Sequence, residues 1–97
     1  EGAQQMPHLT FEETDHDRII RLNTKNGWYA GCAKASAEIP DYLLEPRGKT
    51  GPGIPSHEEE IAAYRTGYAE GVLAKKAGKV GSDNPYSHDN VARRLAS

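Results

Sequence analysis

The sequence predicts an α+β protein in which a small N-terminal antiparallel β-meander precedes a C-terminal helical hairpin. Three observations predict this: alternating apolar and polar residues near the N-terminus, a capped amphipathic helix from about residue 57, and a Pro/Gly-rich segment between them. The predicted units are residues 1–44, an acidic N-terminal unit; residues 45–55, a linker loop; and residues 56–97, a helix-turn-helix hairpin.

The N-terminal unit is predicted as two or three short strands. Residues 8–13 alternate apolar and polar, residues 14–17 are turn-like, and residues 18–23 begin a second apolar run. Asn26-Gly27 is a favoured dipeptide for a two-residue hairpin, and the aromatic pair after it indicates a third strand over residues 28–33.

Residues 11–22 also fit a helix. Thr10 and Glu13 have the spacing of a capping box, in which a hydroxyl and a carboxylate each accept an amide of the first helical turn. Strand and helix therefore both remain open for this segment.

A weak internal repeat gives a second helical alternative. Gly27 and Gly31 have the same spacing as Gly67 and Gly71, and an aromatic residue follows the first glycine of each pair. If the repeat is real, residues 28–37 are helical.

The middle of the chain is predicted as an exposed loop. Four prolines and three glycines fall between residues 40 and 55, which excludes regular structure apart from a helical turn at residues 41–44. Gly48-Lys49-Thr50 resembles the end of a phosphate-binding loop, but Leu43 stands where that motif needs its first glycine. Nucleotide binding is therefore excluded, and residues 45–55 are expected to be the most protease-sensitive internal segment.

A helix is predicted from His57. Ser56 and Glu59 have capping-box spacing, and the glutamates of the first turn complement the positive end of the helix dipole. Lys75 and Lys76 lie near the negative end, so the charge order agrees with the cap.

The glycines of the predicted hairpin have two expected roles, a close helix contact and the end of a helix. Gly67 and Gly71 each cost up to about 1 kcal/mol relative to alanine inside a helix, so we expect another helix to approach them closely. Gly78 and Gly81 are candidates for the helix end, and a second helix is expected after Ser87.

A short motif spans this hairpin. Residues 63–68 read A-Y-R-T-G-Y, and Asn84-Pro85-Tyr86 follows the Gly- and Lys-bearing helix end. This order resembles the ribosome modulation factor family, which reads G-(Y/W)-x-x-G, a basic turn and (C/N)-P-Y. The matching residues are Gly67, Tyr68, Gly71, Asn84, Pro85 and Tyr86. The aromatic W-x-x-G-(W/F) helix that usually follows in the family has no counterpart in residues 88–97.

The resemblance and the charge distribution imply the same partner. The resemblance implies a small non-enzymatic protein that binds ribosomal or structured RNA and holds ribosomes inactive. The formal charge is −2, yet residues 64–97 hold six basic and three acidic groups, while residues 1–63 hold six basic and eleven acidic ones. The expected phosphate contacts are Arg65, Lys75, Lys76, Lys79, Arg93 and Arg94, with Tyr68 and Tyr86 near them to stack on bases.

A protein-binding module is the alternative hypothesis. In it, a regulatory or phage-type inhibitor presents its acidic N-terminal surface to a basic protein. The interface residues would be Glu12, Glu13, Asp15, Asp17, Trp28 and Tyr29.

Several other classes of function are not predicted. No catalytic signature is present, and the four histidines have no metal-ligand spacing, so neither enzyme activity nor a metal or other cofactor is expected. Cys32 is the single cysteine, which excludes an internal disulfide and suits a buried thiol. No apolar run approaches the roughly 20 residues of a membrane span, and the expected location is the cytoplasm.

Overall fold

Three α-helices make up most of the described protein. A computed structural model describes residues 10–34, 36–45 and 51–96 of the chain. Helix α1 spans Asp15–Cys32, α2 spans His57–Lys76 and α3 spans His88–Ala96. None of the residues in these ranges belongs to a strand, so the predicted α+β class with its N-terminal β-meander is wrong.

Helix α1 occupies the place of the predicted meander. Thr14, expected in a turn, is instead the N-cap, and its hydroxyl accepts the backbone N–H of Asp17 at 3.0 Å. Asp15 and Asp17 stand in the first turn, where the helix dipole favours carboxylates. The helical alternative was therefore correct in kind, although the helix begins at Asp15 rather than Phe11 and continues to Cys32.

Glycines bring α1 and α2 into backbone contact. A Cβ atom on Gly27 would lie 2.0 Å from the carbonyl oxygen of Tyr64, and one on Gly67 would lie 1.9 Å from that of Thr24. Because only glycine permits such an approach, Gly27 serves the helix crossing and not the hairpin turn predicted for Asn26-Gly27.

A second glycine pair repeats the contact one helical turn later. A Cβ atom on Gly31 would lie 2.2 Å from the carbonyl oxygen of Tyr68, and one on Gly71 would lie 2.2 Å from that of Trp28. The expectation that Gly67 and Gly71 meet another helix is confirmed. Later residues of α1 contact later residues of α2, so the two helices run parallel. The internal glycine repeat therefore corresponds to two equivalent helix faces that pack on each other.

Because α1 and α2 are parallel, the connection between them must run back along the length of α1. The 18 residues of α1 make that length about 27 Å. A 3-10 turn at Asp41–Leu43 confirms the helical turn predicted there. The Tyr42 hydroxyl donates to Asn23 Oδ1 at 3.0 Å, and the Leu43 side chain is buried. Residues 46–50, the centre of the predicted protease-sensitive loop, lie outside the described residues.

Both ends of α2 follow the local sequence signals. The Ser56 hydroxyl accepts the Glu59 N–H at 3.1 Å, and the Glu59 carboxylate accepts the Ser56 N–H at 2.8 Å, which confirms the capping box. The helix ends at Lys76, and Gly78 follows with a left-handed φ of 85°. Helix α3 begins directly after Ser87, whose hydroxyl accepts an N–H of its first turn.

One cluster of the hydrophobic core lies toward the C-terminal ends of the parallel pair. Trp28, Cys32 and Ala74 are buried together, and Tyr86 packs against them. Cys32 is thus the buried free thiol that was predicted. Among the described residues, no helix is long and apolar enough to cross a bilayer.

Candidate functional site

Asn84 is the anchor of the turn between α2 and α3. It is 0% exposed, and its side-chain amide donates to the carbonyl oxygen of Lys25 in α1 at 3.0 Å. Its Oδ1 accepts the backbone N–H of Tyr86 at 2.9 Å, and its carbonyl oxygen accepts the Asn90 amide at 2.7 Å. Asn84 therefore ties the turn to both α1 and α3.

Tyr86 fastens the same turn to both long helices. Its hydroxyl donates to the Glu70 carboxylate in α2 at 2.5 Å, while its carbonyl oxygen accepts Arg21 Nη1 from α1 at 2.9 Å. Burial, reinforced by the hydrogen bond to Glu70, raises the pKa of the Tyr86 hydroxyl to about 12. Arg21 also forms two hydrogen bonds with Glu13, at 2.8 and 3.1 Å, so the segment before α1 is held as well.

The glycines of the crossing and the residues of the turn have structural roles in this chain. Gly67 and Gly71 are buried in the helix crossing, and Tyr68 is half-buried beside them. Asn84 and Tyr86 hold the turn. These residues position the surface around them.

Three of the predicted phosphate-binding residues lie together. Lys75 and Lys79 line a cleft of about 360 Å³, and Lys79 and Arg93 line a neighbouring cleft of about 650 Å³. Tyr29, which is 40% exposed, lines both clefts. We call Tyr29, Lys75, Lys79 and Arg93 the Tyr29 site.

The Tyr29 ring lies between Trp28 and the loop after α2. It meets the Trp28 ring edge-on, with centroids 6.2 Å apart and an interplanar angle of 84°. A Cβ atom on Gly81 would lie 3.7 Å from Tyr29 Cε1, so the ring also rests on the loop after α2. The alternative hypothesis assigned Tyr29 to an acidic protein interface; in the structure it lines clefts that contain Lys75, Lys79 and Arg93 together with Asp83 and Asp89.

Polar groups complete the larger cleft. Ser82, Ser87 and Asn90 line it, and nothing in the sequence pattern singled them out. Asp83 and Asp89 also line it, but the Asp83 carboxylate accepts the Val80 N–H at 2.9 Å and thereby shapes the loop. Lys75, Lys76 and Lys79 form no ion pair with any residue that the structure describes.

The other predicted cations are placed differently. Arg65 lines a separate groove with Glu58 and Ile61, and it precedes Lys75 by ten residues, or about 15 Å along α2. Arg94 donates to the carbonyl oxygen of Pro85 at 3.4 Å. Lys76 is exposed next to Lys75. The six predicted residues thus do not form one patch.

The alternative acidic interface loses one of its two aromatic residues. Trp28 is 2% exposed, so it lies in the core and not on the surface as that hypothesis required. The Glu13 side chain is 15% exposed and is paired with Arg21. Glu12, Asp15 and Asp17 do remain exposed, at the N-terminal end of α1.

Neither a metal-binding group in the described residues nor a similar known protein points to a function. Within the described ranges, no group of three His, Cys, Asp or Glu side chains is placed to hold a metal ion. Comparisons with protein-family models, curated proteins and solved structures find no match to this chain. Function must therefore be inferred from the geometry and charge of the Tyr29 site.

Proposed function

We propose that this is a small non-enzymatic regulatory protein that binds ribosomal or other structured RNA at the Tyr29 site. The supporting observation is that Lys75, Lys79 and Arg93 line two adjoining clefts around an exposed tyrosine. Cations neutralise phosphates and release their counterions, and aromatic side chains stack on bases. The site offers both kinds of group within one small area.

Two features of the sequence support the same partner. Residues 64–97 carry twice as many basic as acidic groups, six against three, although the whole chain is acidic. The likeness to the ribosome modulation factor family implies the ribosome as the source of the RNA. Inhibition of translation in the cytoplasm is the role that we propose on that basis.

Binding of a basic protein is the second candidate function. The exposed carboxylates of Glu12, Asp15 and Asp17 favour it. They lie near the N-terminal end of α1, with Asp15 fourteen residues before Tyr29, or about 21 Å away along the helix. The two candidate surfaces can therefore be altered separately.

Salt-dependent RNA binding tests the first function. Affinity for a labelled ribosomal stem-loop RNA would be measured by fluorescence anisotropy at several salt concentrations. Lys75→Ala/Lys79→Ala should weaken binding and flatten the slope of log K against log salt by about 0.7 for each phosphate that is no longer neutralised. Arg18→Ala/Arg65→Ala removes the same charge elsewhere and should leave that slope unchanged.

The acidic surface provides the opposing test. Glu12→Gln/Asp15→Asn/Asp17→Asn should not weaken RNA binding, because it removes only negative charge. Loss of binding with this variant, together with full binding by Lys75→Ala/Lys79→Ala, would refute the RNA function. Retention of a discrete basic protein from the host by the wild type, and its loss with the acidic variant, would then support the second candidate.

A further inference from the structure

The exposed tyrosine gives the Tyr29 site a means of distinguishing forms of RNA. We propose that the site takes an unpaired segment, with one base stacked on the Tyr29 ring and the adjoining phosphates beside Lys75, Lys79 and Arg93. The inference rests on the RNA-binding function proposed above and adds which form of RNA is bound.

The Tyr29 ring is partly exposed and partly in contact with the protein. It is 40% exposed, its edge meets the Trp28 ring, and the loop at Gly81 lies beside it. The exposed part of the ring is the part to which a base could stack. In an RNA duplex the base faces are covered by their neighbours, so only unpaired nucleotides can present a face to this ring.

The two clefts beside the ring suit a strand that passes over it. The larger cleft, of about 650 Å³, has a volume typical of sites for small organic ligands. Lys79 lines both clefts, Arg93 only the larger and Lys75 only the smaller. A backbone that passes from one cleft to the other meets cations in both, and in the larger cleft it also passes Asp83 and Asp89.

The other tyrosines expected to stack on bases are placed differently. The Tyr86 hydroxyl donates to Glu70 and the ring packs against the core. Tyr68 is half-buried beside the helix crossing. Tyr29 is accordingly the aromatic residue that we assign to base stacking.

Binding of a single strand and of its duplex tests the inference. An unstructured RNA of about twelve nucleotides, within the usual range of site sizes, would be compared with the same RNA annealed to its complement at equal salt. The wild type should prefer the single strand. Tyr29→Leu keeps an apolar contact with Trp28 and Gly81 but has no ring, so single-strand affinity should fall roughly 5- to 150-fold while duplex affinity is unchanged.

Matched variants and a modified RNA complete the test. Tyr29→Phe should retain the single-strand preference. Tyr42→Leu alters another exposed tyrosine; it removes the hydrogen bond to Asn23 but should leave the single-strand affinity unchanged. An RNA with abasic residues probes the same contact with the unmodified protein, so a folding defect of Tyr29→Leu cannot conceal the result. Its affinity should fall by a similar factor.

The failures can be told apart. If single strand and duplex bind equally, and neither Tyr29→Leu nor abasic RNA changes affinity, RNA binding stands and the stacking inference is wrong. Displacement of the RNA by polyglutamate at equal charge concentration would likewise show a site that recognises charge alone. If neither form of RNA binds, both the inference and the proposed function are wrong.

Discussion

Replacement of Gly67 by alanine tests the helix crossing that supports the site. The added Cβ atom would lie 1.9 Å from the carbonyl oxygen of Thr24, whereas real Cβ contacts stay above 3.0 Å. The backbones of α1 and α2 must therefore separate by roughly 1 Å, a gap that removes a quarter to a half of the dispersion energy between the atoms it moves apart.

The expected loss of stability follows from two opposed effects. Overpacking typically costs about 1–3 kcal/mol, whereas alanine gains about 1 kcal/mol of helix propensity over glycine. The clash at Gly67 is with the backbone of a packed helix, which cannot rotate away as a side chain can. We therefore expect a net loss of about 2 kcal/mol, or a fall in melting temperature of about 8–16 °C for a domain of this size.

Thermal unfolding followed by circular dichroism measures the effect. Gly81→Ala is the matched control, because its Cβ atom would make only an ordinary 3.7 Å contact with the Tyr29 ring and its melting temperature should barely change. Gly27→Ala/Gly67→Ala should cost less than the sum of the single variants, since helices already separated can admit a second Cβ atom. An unchanged or raised melting temperature for Gly67→Ala would refute the close crossing.

Two further predictions concern the contacts around the turn. Arg21→Met should lower the free energy of unfolding in urea by about 2 kcal/mol, because it leaves the largely buried Glu13 carboxylate unpaired. Arg18→Met, which breaks only an exposed pair with Asp15, should cost less than about 1 kcal/mol, and equal losses would count against this interpretation. The pKa of Tyr86 is raised from 10.0 to about 12, so its neutral hydroxyl stabilises the fold below pH 10 and that contribution is lost as the pH rises through 12. Tyr86→Phe should therefore lose less stability than the wild type over that interval in urea unfolding, and equal losses would contradict the assignment.

The C-terminal helices were predictable because their signals are local. The capping box at Ser56 and Glu59, the charges at both ends of α2 and the left-handed Gly78 act within a few residues of the chain. Each remains effective whatever the rest of the protein does. The start of α2, its end and the start of α3 could therefore be placed from the sequence.

The N-terminal helix was predicted only as the alternative to strands, because a distant contact favours it. Asn26-Gly27 favours a turn when only its neighbours are considered. In the structure, Gly27 is required by the α2 backbone at Tyr64 and Tyr68, which lie 37 and 41 residues further along the chain. The repeated glycine spacing gave the helical alternative, but it could not decide between helix and strand without the knowledge that the two segments are in contact.

The site itself could be predicted only in part. Lys75, Lys79 and Arg93 were chosen from charge alone, and the structure brings them together. Tyr29 lies beside them because α1 packs against α2. That packing cannot be predicted from charge and composition. Its neighbour Trp28 is rotated by about 100° on the same helix and is buried instead.

Mapping the RNA contact by nuclear magnetic resonance is the most direct test of the proposed site. Unpaired RNA would be added to isotope-labelled protein and the backbone amide shifts followed. We predict the largest changes at Tyr29, at Lys75 and in residues 79–83 and 87–93, with little change in residues 12–17. Changes concentrated in residues 12–17, with the amides around Tyr29 unmoved, would contradict RNA binding at the Tyr29 site.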